Sequence, residues 1–142
     1  MIDHVGFAVS DYARAIDFYR KALAPLGYTL VVEVPGGKTE SKYPAAGFGI
    51  GSKPDFWIGG EGRLGEPVPL HVAIAARTRA MVDAFHIAGL AAGGKDNGAP
   101  GLRPHYHPDY YAAFVLDPEG NNIEAVCHES GEAAQSSFVQ PA

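Results

Sequence analysis

The chain contains an internal repeat with an offset of 67 residues. Residues 4–27 align without a gap on residues 71–94, and eight of the paired positions are identical. His4 pairs with His71, and Phe18 pairs with Phe85. Such a repeat predicts two copies of one supersecondary unit, each too small to bury its own apolar face.

Both copies show the same predicted order of elements. Each begins with an apolar strand, Ile2–Val9 or Leu70–Ala76, and continues into an amphipathic helix that Ser10 and Asp11, or Thr78, can cap. Further strands are predicted at Tyr28–Val34, Ala45–Ile50, Asp55–Ile58, Tyr111–Leu116 and Asn122–His128. The predicted fold class is therefore α+β, with two βαβββ modules paired about a pseudo-twofold axis. They would form a curved mixed sheet with a cup-shaped site.

The domain boundaries and the bulk composition narrow the functional classes. The modules span about residues 1–62 and 67–128 of a single domain, and residues 129–142 form a polar tail. The net charge of −5 argues against a nucleic-acid partner. One cysteine excludes an internal disulfide, and no apolar stretch reaches the roughly 20 residues that span a bilayer. We expect a cytoplasmic protein with no leader and no membrane partner.

Three side chains form a candidate metal site. His4 and His71 occupy equivalent positions near the start of each first strand, so pseudo-twofold packing would bring them together. Glu124 lies in an otherwise apolar strand, where a buried carboxylate needs compensation. Two imidazoles and one carboxylate suit iron, manganese, nickel or zinc. The alternative is that all three are structural residues.

The repeat offset places Trp57 where the first module would offer the equivalent of Glu124. An indole is not a metal ligand, so Trp57 is interpreted as a substrate-binding pocket wall or as a core residue. Asp55 shares the face of Trp57, so it could reach the metal or a bound ligand. The alternative is a strand-edge or turn carboxylate.

A second candidate segment runs from Gly101 to Ala112 and is rich in His and Tyr. The functional interpretation is a lid in which His105, His107 or Tyr111 acts as acid or base. Arg103 and Tyr110 would then bind substrate. The alternative is a surface loop whose tyrosines pack on the sheet.

Four segments resemble the glyoxalase I / bleomycin resistance / extradiol dioxygenase superfamily: His4–Asp11, Ala15–Tyr19, His71–Ala75 and Asp117–Glu124. The resemblance covers about residues 1–128. It implies paired βαβββ modules, and His4, His71 and Glu124 as ligands of a divalent metal in the cup between them. It also implies a homodimer, since single-chain relatives usually pair.

The sequence departs from glyoxalase I at Trp57, where the resemblance implies a fourth ligand. The remaining His/His/Glu set is similar to the triad of extradiol dioxygenases. We therefore expect a metal-dependent lyase or dioxygenase that acts on a small, oxygen-bearing substrate, aromatic or not, through bidentate chelation to a divalent metal. The alternative is a metal-free protein of the same fold that binds and sequesters small molecules.

Overall fold

The computed structural model describes residues 1–37, 41–62, 65 and 68–131. The first module contains β1 (Val5–Ala8), α1 (Tyr12–Ala22), a 3-10 turn (Ala24–Leu26), β2 (Thr29–Val34), β3 (Ala45–Gly49) and β4 (Phe56–Gly59). The second contains β5 (His71–Ala75), α2 (Arg79–Ala91), β6 (Lys95–Leu102), β7 (Tyr111–Leu116) and β8 (Asn122–Cys127). The predicted pair of βαβββ modules is confirmed.

Each module forms its own four-stranded mixed sheet, with the strand orders β1-β4-β3-β2 and β5-β8-β7-β6. The first and last strands of each module pair at equivalent residues in the two sheets. Gly6 pairs with Trp57 across β1 and β4, and Ala73 pairs with Glu124 across β5 and β8. Both pairs are related by the offset of 67, so the sequence repeat is also a structural repeat.

Both helices begin at predicted caps and end before a glycine. The side chains of Asp11 and Thr78 each accept a hydrogen bond from the backbone N–H three residues later, at 3.1 and 3.2 Å. Gly27 and Gly93 follow the helical segments with φ of 85° and 102°. Because glycine adopts this left-handed conformation without strain, the chain can turn back towards the sheet there.

One hydrophobic core joins the two modules. Helices α1 and α2 pack against each other, and alternate strand positions point into the core: Phe56 and Ile58 in β4, and Ile123, Ala125 and Cys127 in β8. The opposite face of each sheet is called here the open face. It carries Gly6, Gly47 and Trp57 in the first sheet, and Ala73, Phe114 and Glu124 in the second.

Strand β6 is the strand of the second βαβββ module whose bounds its own composition does not indicate. Its residues Asp96, Asn97, Gly98 and Pro100 belong to types that strands avoid. It pairs with β7 through two register shifts around Gly98. An edge strand tolerates such bulges and a proline, because one side of its backbone has no partner strand.

The turn between β7 and β8 joins the modules through buried polar groups. Asp117 accepts hydrogen bonds from the Tyr19 hydroxyl at 2.5 Å and from the Asn121 amide at 2.8 Å. The backbone N–H of Glu119 and the backbone N–H of Asn121 also donate to the Asp117 side chain. The predicted turn is therefore a structural connection between α1 and the second sheet.

One expectation, the C-terminal tail, lies largely outside the residues that this structure describes. Of the predicted tail at residues 129–142, only residues 129–131 belong to the described part of the chain. Within the described residues, no helix has both the length and the apolar character needed to cross a membrane.

Candidate functional site

The open face of the second sheet brings together two of the three predicted metal ligands. His71 is the first residue of β5, and Glu124 lies on the adjacent parallel strand β8. The His71 Nε2 atom lies 3.1 Å from Glu124 Oε2. The Glu124 side chain is 2% exposed and that of His71 is 51% exposed, so a buried carboxylate meets an imidazole that solvent can reach.

The second ring nitrogen of His71 is also engaged. Its Nδ1 atom lies 3.1 Å from the backbone carbonyl oxygen of Asn122. A carbonyl oxygen only accepts, so Nδ1 carries a proton and donates it. In the neutral ring, Nε2 then directs a lone pair at the carboxylate of Glu124. Two electron-rich atoms this close require a shared proton or a cation between or beside them.

The second oxygen of Glu124 has a different partner. The Tyr110 hydroxyl donates a hydrogen bond to Glu124 Oε1 at 2.5 Å. Partial burial, reinforced by this hydrogen bond and by the charge of Glu124, raises the pKa of Tyr110 to about 12. The phenol therefore stays protonated at neutral pH and acts as a donor.

Phe114 and Arg103 lie beside this pair. The Phe114 ring stacks near His71, with centroids 6.4 Å apart and an interplanar angle of 25°. The Arg103 guanidinium lies 5.5 Å from the centroid of the Phe114 ring and donates to the carbonyl of Ala99 at 2.8 Å. The open face thus combines an acid, an imidazole, an aromatic ring and a cation.

Phe114 is absent from the residues that the sequence predicts for the site. The hairpin turn at residues 117–121 contains the missing signal, because pairing outward from it sets Leu116 opposite Asn122. Phe114 then falls opposite Glu124, on the same face.

The predicted lid residues separate into different environments. His105 packs on Tyr106, with ring centroids 4.1 Å apart, and His107 lies 6.2 Å from His128. Tyr110 alone of these candidates is hydrogen-bonded to Glu124. Tyr111 has the opposite orientation: its hydroxyl donates to Asp83 at 2.7 Å, and its ring joins the core side of the sheet.

His4 is placed away from the other two predicted ligands. It is exposed, and its Nδ1 atom lies 2.8 Å from Asp3, which also pairs with Lys53. Among the residues described, no group of three or more His, Cys, Asp or Glu side chains is placed to share a metal ion. One chain therefore assembles His71 with Glu124 and leaves His4 separate.

Trp57 occupies the position equivalent to Glu124 on the first sheet. A Cβ atom at Gly47 would lie 3.0 Å from the Trp57 ring, so the indole lies flat across that glycine. Gly6, on the other neighbouring strand, would bring a Cβ within 3.3 Å of Trp57 Cβ. The first module thus presents an apolar aromatic surface where the second presents a carboxylate.

Comparison with solved structures finds the same fold in several proteins. A glyoxalase/bleomycin resistance protein from Albidiferax ferrireducens T118 is 29% identical, with a TM-score of 0.63 over 88% of this chain and 96% of that one. Glyoxalase I from Zea mays is 26% identical, with a TM-score of 0.66 over 89% of this chain and 45% of the maize chain. A glyoxalase/bleomycin resistance protein/dioxygenase family enzyme from Burkholderia phytofirmans PsJN has the same fold. It is 19% identical, with a TM-score of 0.59 over 90% of this chain and 98% of that one.

Comparison with curated protein sequences finds no significant match. The family model of the Glyoxalase/Bleomycin resistance protein/Dioxygenase superfamily matches residues 1–125, which is most of the chain. The paired βαβββ modules and the similar solved structures are consistent with this match. The chain therefore belongs to the glyoxalase/bleomycin resistance protein/dioxygenase superfamily.

Proposed function

We propose that this protein is a metal-dependent enzyme, of lyase or dioxygenase type, that acts on a small substrate bearing two vicinal oxygens. His4, His71 and Glu124 would hold one divalent ion of iron, manganese, nickel or zinc. The observation that carries the proposal is the pair formed by His71 Nε2 and Glu124 Oε2 at 3.1 Å. Their other polar atoms are already engaged by Asn122 and Tyr110.

The spacing and chemistry of this pair suit a metal. An imidazole nitrogen and a carboxylate oxygen are both donors that iron, manganese, nickel and zinc accept, and these two atoms lie 3.1 Å apart. The hydrogen bond from Nδ1 to a backbone carbonyl is the usual orientation of a metal-binding histidine, because it leaves Nε2 free for the ion. A cation would also compensate the burial of the Glu124 carboxylate.

A second copy of the chain would supply the third ligand. His4 directly precedes β1, and His71 begins β5; both strands are at the edge of their sheets, where one side of the backbone has no partner strand. Apposition of β1 from one copy with β5 of another would bring the two histidines together. We therefore propose a homodimer in which each site combines the first module of one copy with the second module of the other.

The surrounding side chains would bind and orient the substrate. Arg103 would pair with an anionic group, while Phe114 and Trp57 would form aromatic walls. His105 or His107, on the neighbouring loop, would exchange a proton with the substrate. When bound, the ion would supply Lewis-acid polarisation of the substrate oxygens.

Mixed dimers test both the ligand set and the second copy. Neither His4→Ala nor Glu124→Ala chains alone are expected to bind Zn²⁺ tightly. A purified mixed dimer of the two retains one intact site, so it should bind one ion, against two for the wild-type dimer. Elemental analysis and calorimetry measure both values.

Mixed dimers of Glu124→Ala with His71→Ala are the matched control. Both changes lie in the second module, so no intact site can form and no tight binding is expected. Equal, weak binding by the two kinds of mixed dimer would refute the shared site. A wild-type protein that binds no divalent ion would refute the metal-dependent enzyme.

The aromatic side chains on the open faces, Trp57 on the first sheet and Phe114 on the second, favour one alternative, a metal-free protein that binds an apolar small molecule. It predicts that the wild-type protein takes up no metal and that an apolar ligand quenches the emission of Trp57, the sole tryptophan. That quenching should persist in His4→Ala and be lost when Phe114 is replaced by alanine.

A further inference from the structure

We propose that Tyr110 is a positioning residue that makes Glu124 a metal ligand through one oxygen only. This inference rests on the proposed metal site and assigns a function to a residue outside its ligand set. It also gives a structural role to residues 103–110, the segment before β7 that the sequence analysis interprets as a lid.

The two oxygens of Glu124 have separate partners. Oε1 accepts the hydrogen bond of the Tyr110 hydroxyl at 2.5 Å, and Oε2 faces His71 Nε2 at 3.1 Å. The side chain is almost completely buried, so water cannot readily replace either partner. A carboxylate can bind a metal through one oxygen or through both. With Oε1 held by Tyr110, Oε2 is the oxygen that remains for the ion.

The position of Tyr110 is itself constrained from several sides. Its ring stands edge-on to Tyr106 and His128, with centroids 5.2 and 5.1 Å away. Its backbone carbonyl accepts from the N–H of Arg103 at 2.7 Å, and its own N–H donates to His107 at 3.1 Å. The hydroxyl therefore reaches Glu124 from a closed loop with packed aromatic side chains.

This arrangement explains why the segment from 103 to 110 is rich in aromatic residues. The rings of Tyr106 and His128 pack on Tyr110 and hold its hydroxyl in place. In the proposed site, the loop would orient a ligand through a hydrogen bond. Outer hydrogen bonds of this kind commonly change metal affinity by about 10–100-fold when removed.

Tyr110→Phe tests the hydroxyl, because it retains the ring and its contacts. Calorimetric titration with Zn²⁺ on the full-length protein is expected to give a Kd about 10–100-fold weaker than that of the wild type. The metal-free protein should also unfold at a lower temperature, because the buried Glu124 carboxylate loses a donor, so the Zn²⁺ affinity is the deciding measurement. An aromatic packing role alone would leave the Zn²⁺ affinity unchanged.

Tyr12→Phe is the matched control. The Tyr12 hydroxyl also donates to a glutamate, Glu33 at 3.3 Å, but in the first module and away from Glu124. Its removal should leave the Zn²⁺ affinity at the wild-type value. An affinity of Tyr110→Phe equal to that of Tyr12→Phe would overturn the inference and leave the proposed function intact. A wild-type protein without Zn²⁺ affinity would overturn the proposed function first.

A crystal structure of the Zn²⁺-loaded wild-type protein provides a measurement that needs no variant. We expect Glu124 Oε2 on the ion and Oε1 on the Tyr110 hydroxyl. Both oxygens on the ion, with Tyr110 turned away, would overturn the inference even if Tyr110→Phe failed to fold.

Discussion

At the residue scale, Asp117 has the most concentrated set of polar contacts in the described part of the chain. Its Oδ1 accepts from two backbone N–H groups of its own turn. Its Oδ2 accepts from the Asn121 side chain and from Tyr19, which lies in α1 of the other module. The Asp-Pro-Glu-Gly-Asn sequence is therefore explained by packing between modules, and no catalytic role is needed to account for it.

Tyr19→Phe should destabilise the protein by about 1–3 kcal/mol. The change removes a hydroxyl that donates to buried Asp117 and leaves that oxygen with one fewer partner. The free energy of unfolding in urea measures the loss.

Tyr12→Phe serves as the comparison, because its hydroxyl bonds Glu33 at an exposed position. A change within about 0.5 kcal/mol is expected there. Equal losses for the two variants would contradict the importance of the buried contact.

At the element scale, strand register decides which side chains meet. Gly47 in β3 and Phe114 in β7 occupy equivalent positions. Gly47 lies opposite Trp57, and Phe114 lies opposite Glu124. Because Gly47 has no side chain, Trp57 can lie across it. Phe114, by contrast, has a ring that lies beside His71. Two differences between the modules, Gly47 for Phe114 and Trp57 for Glu124, thus place the aromatic ring on β4 in the first sheet and on β7 in the second.

Gly47→Ala is expected to displace the indole of Trp57. The added Cβ would lie 2.8 Å from the Pro54 side chain and 3.0 Å from the ring, closer than atoms pack. We expect a loss of about 1–3 kcal/mol in unfolding free energy and a shifted fluorescence maximum for the sole tryptophan.

Gly101→Ala provides the control in the other sheet. Its added Cβ would meet only the end of the flexible Arg103 side chain, at 3.1 Å. Its emission should match that of the wild type. An unshifted maximum in Gly47→Ala would show that the indole does not rest on this glycine.

At the scale of the whole molecule, several tyrosine–carboxylate contacts make stability depend on alkaline pH. Burial, together with the nearby carboxylates of Glu33 and Asp55, raises the pKa of Tyr12 and of Tyr28 from 10.0 to about 12. The folded protein therefore holds these phenol protons at a pH where the unfolded chain has lost them. Their contribution to stability is complete below about pH 10 and is lost as the pH rises to about 12.

Unfolding midpoints in urea should accordingly fall steadily between about pH 10 and about pH 12. The double variant Tyr12→Phe, Tyr28→Phe removes both groups, so its decline over the same interval should be shallower. Phenolate absorbance should show more late titration in the native wild type than in the native double variant, in which Tyr110 still has a raised pKa. An equally steep decline in the double variant would contradict this assignment.

Much of this architecture is predictable because it depends on local patterns. The caps Asp11 and Thr78 are predicted from short-range rules and are confirmed. The repeat predicts that Trp57 and Glu124 are equivalent, and the strand registers agree. The βαβββ pattern requires a strand where β6 lies, but the composition of β6 does not indicate its bounds, because its pairing with β7 stabilises a polar and glycine-rich segment.

The sequence by itself determined the two modules, their common offset and the neighbouring positions of His71 and Glu124, because strand alternation and a repeat are properties of the chain. The tertiary structure alone decided which tyrosine reaches the carboxylate. Tyr110 faces Glu124 while Tyr111 faces Asp83, because the pairing of β7 with β8 and the packing of α2 determine which side of the sheet holds each carboxylate. It also decided that His4 stands apart within one chain, because the distance between modules depends on how their cores pack together.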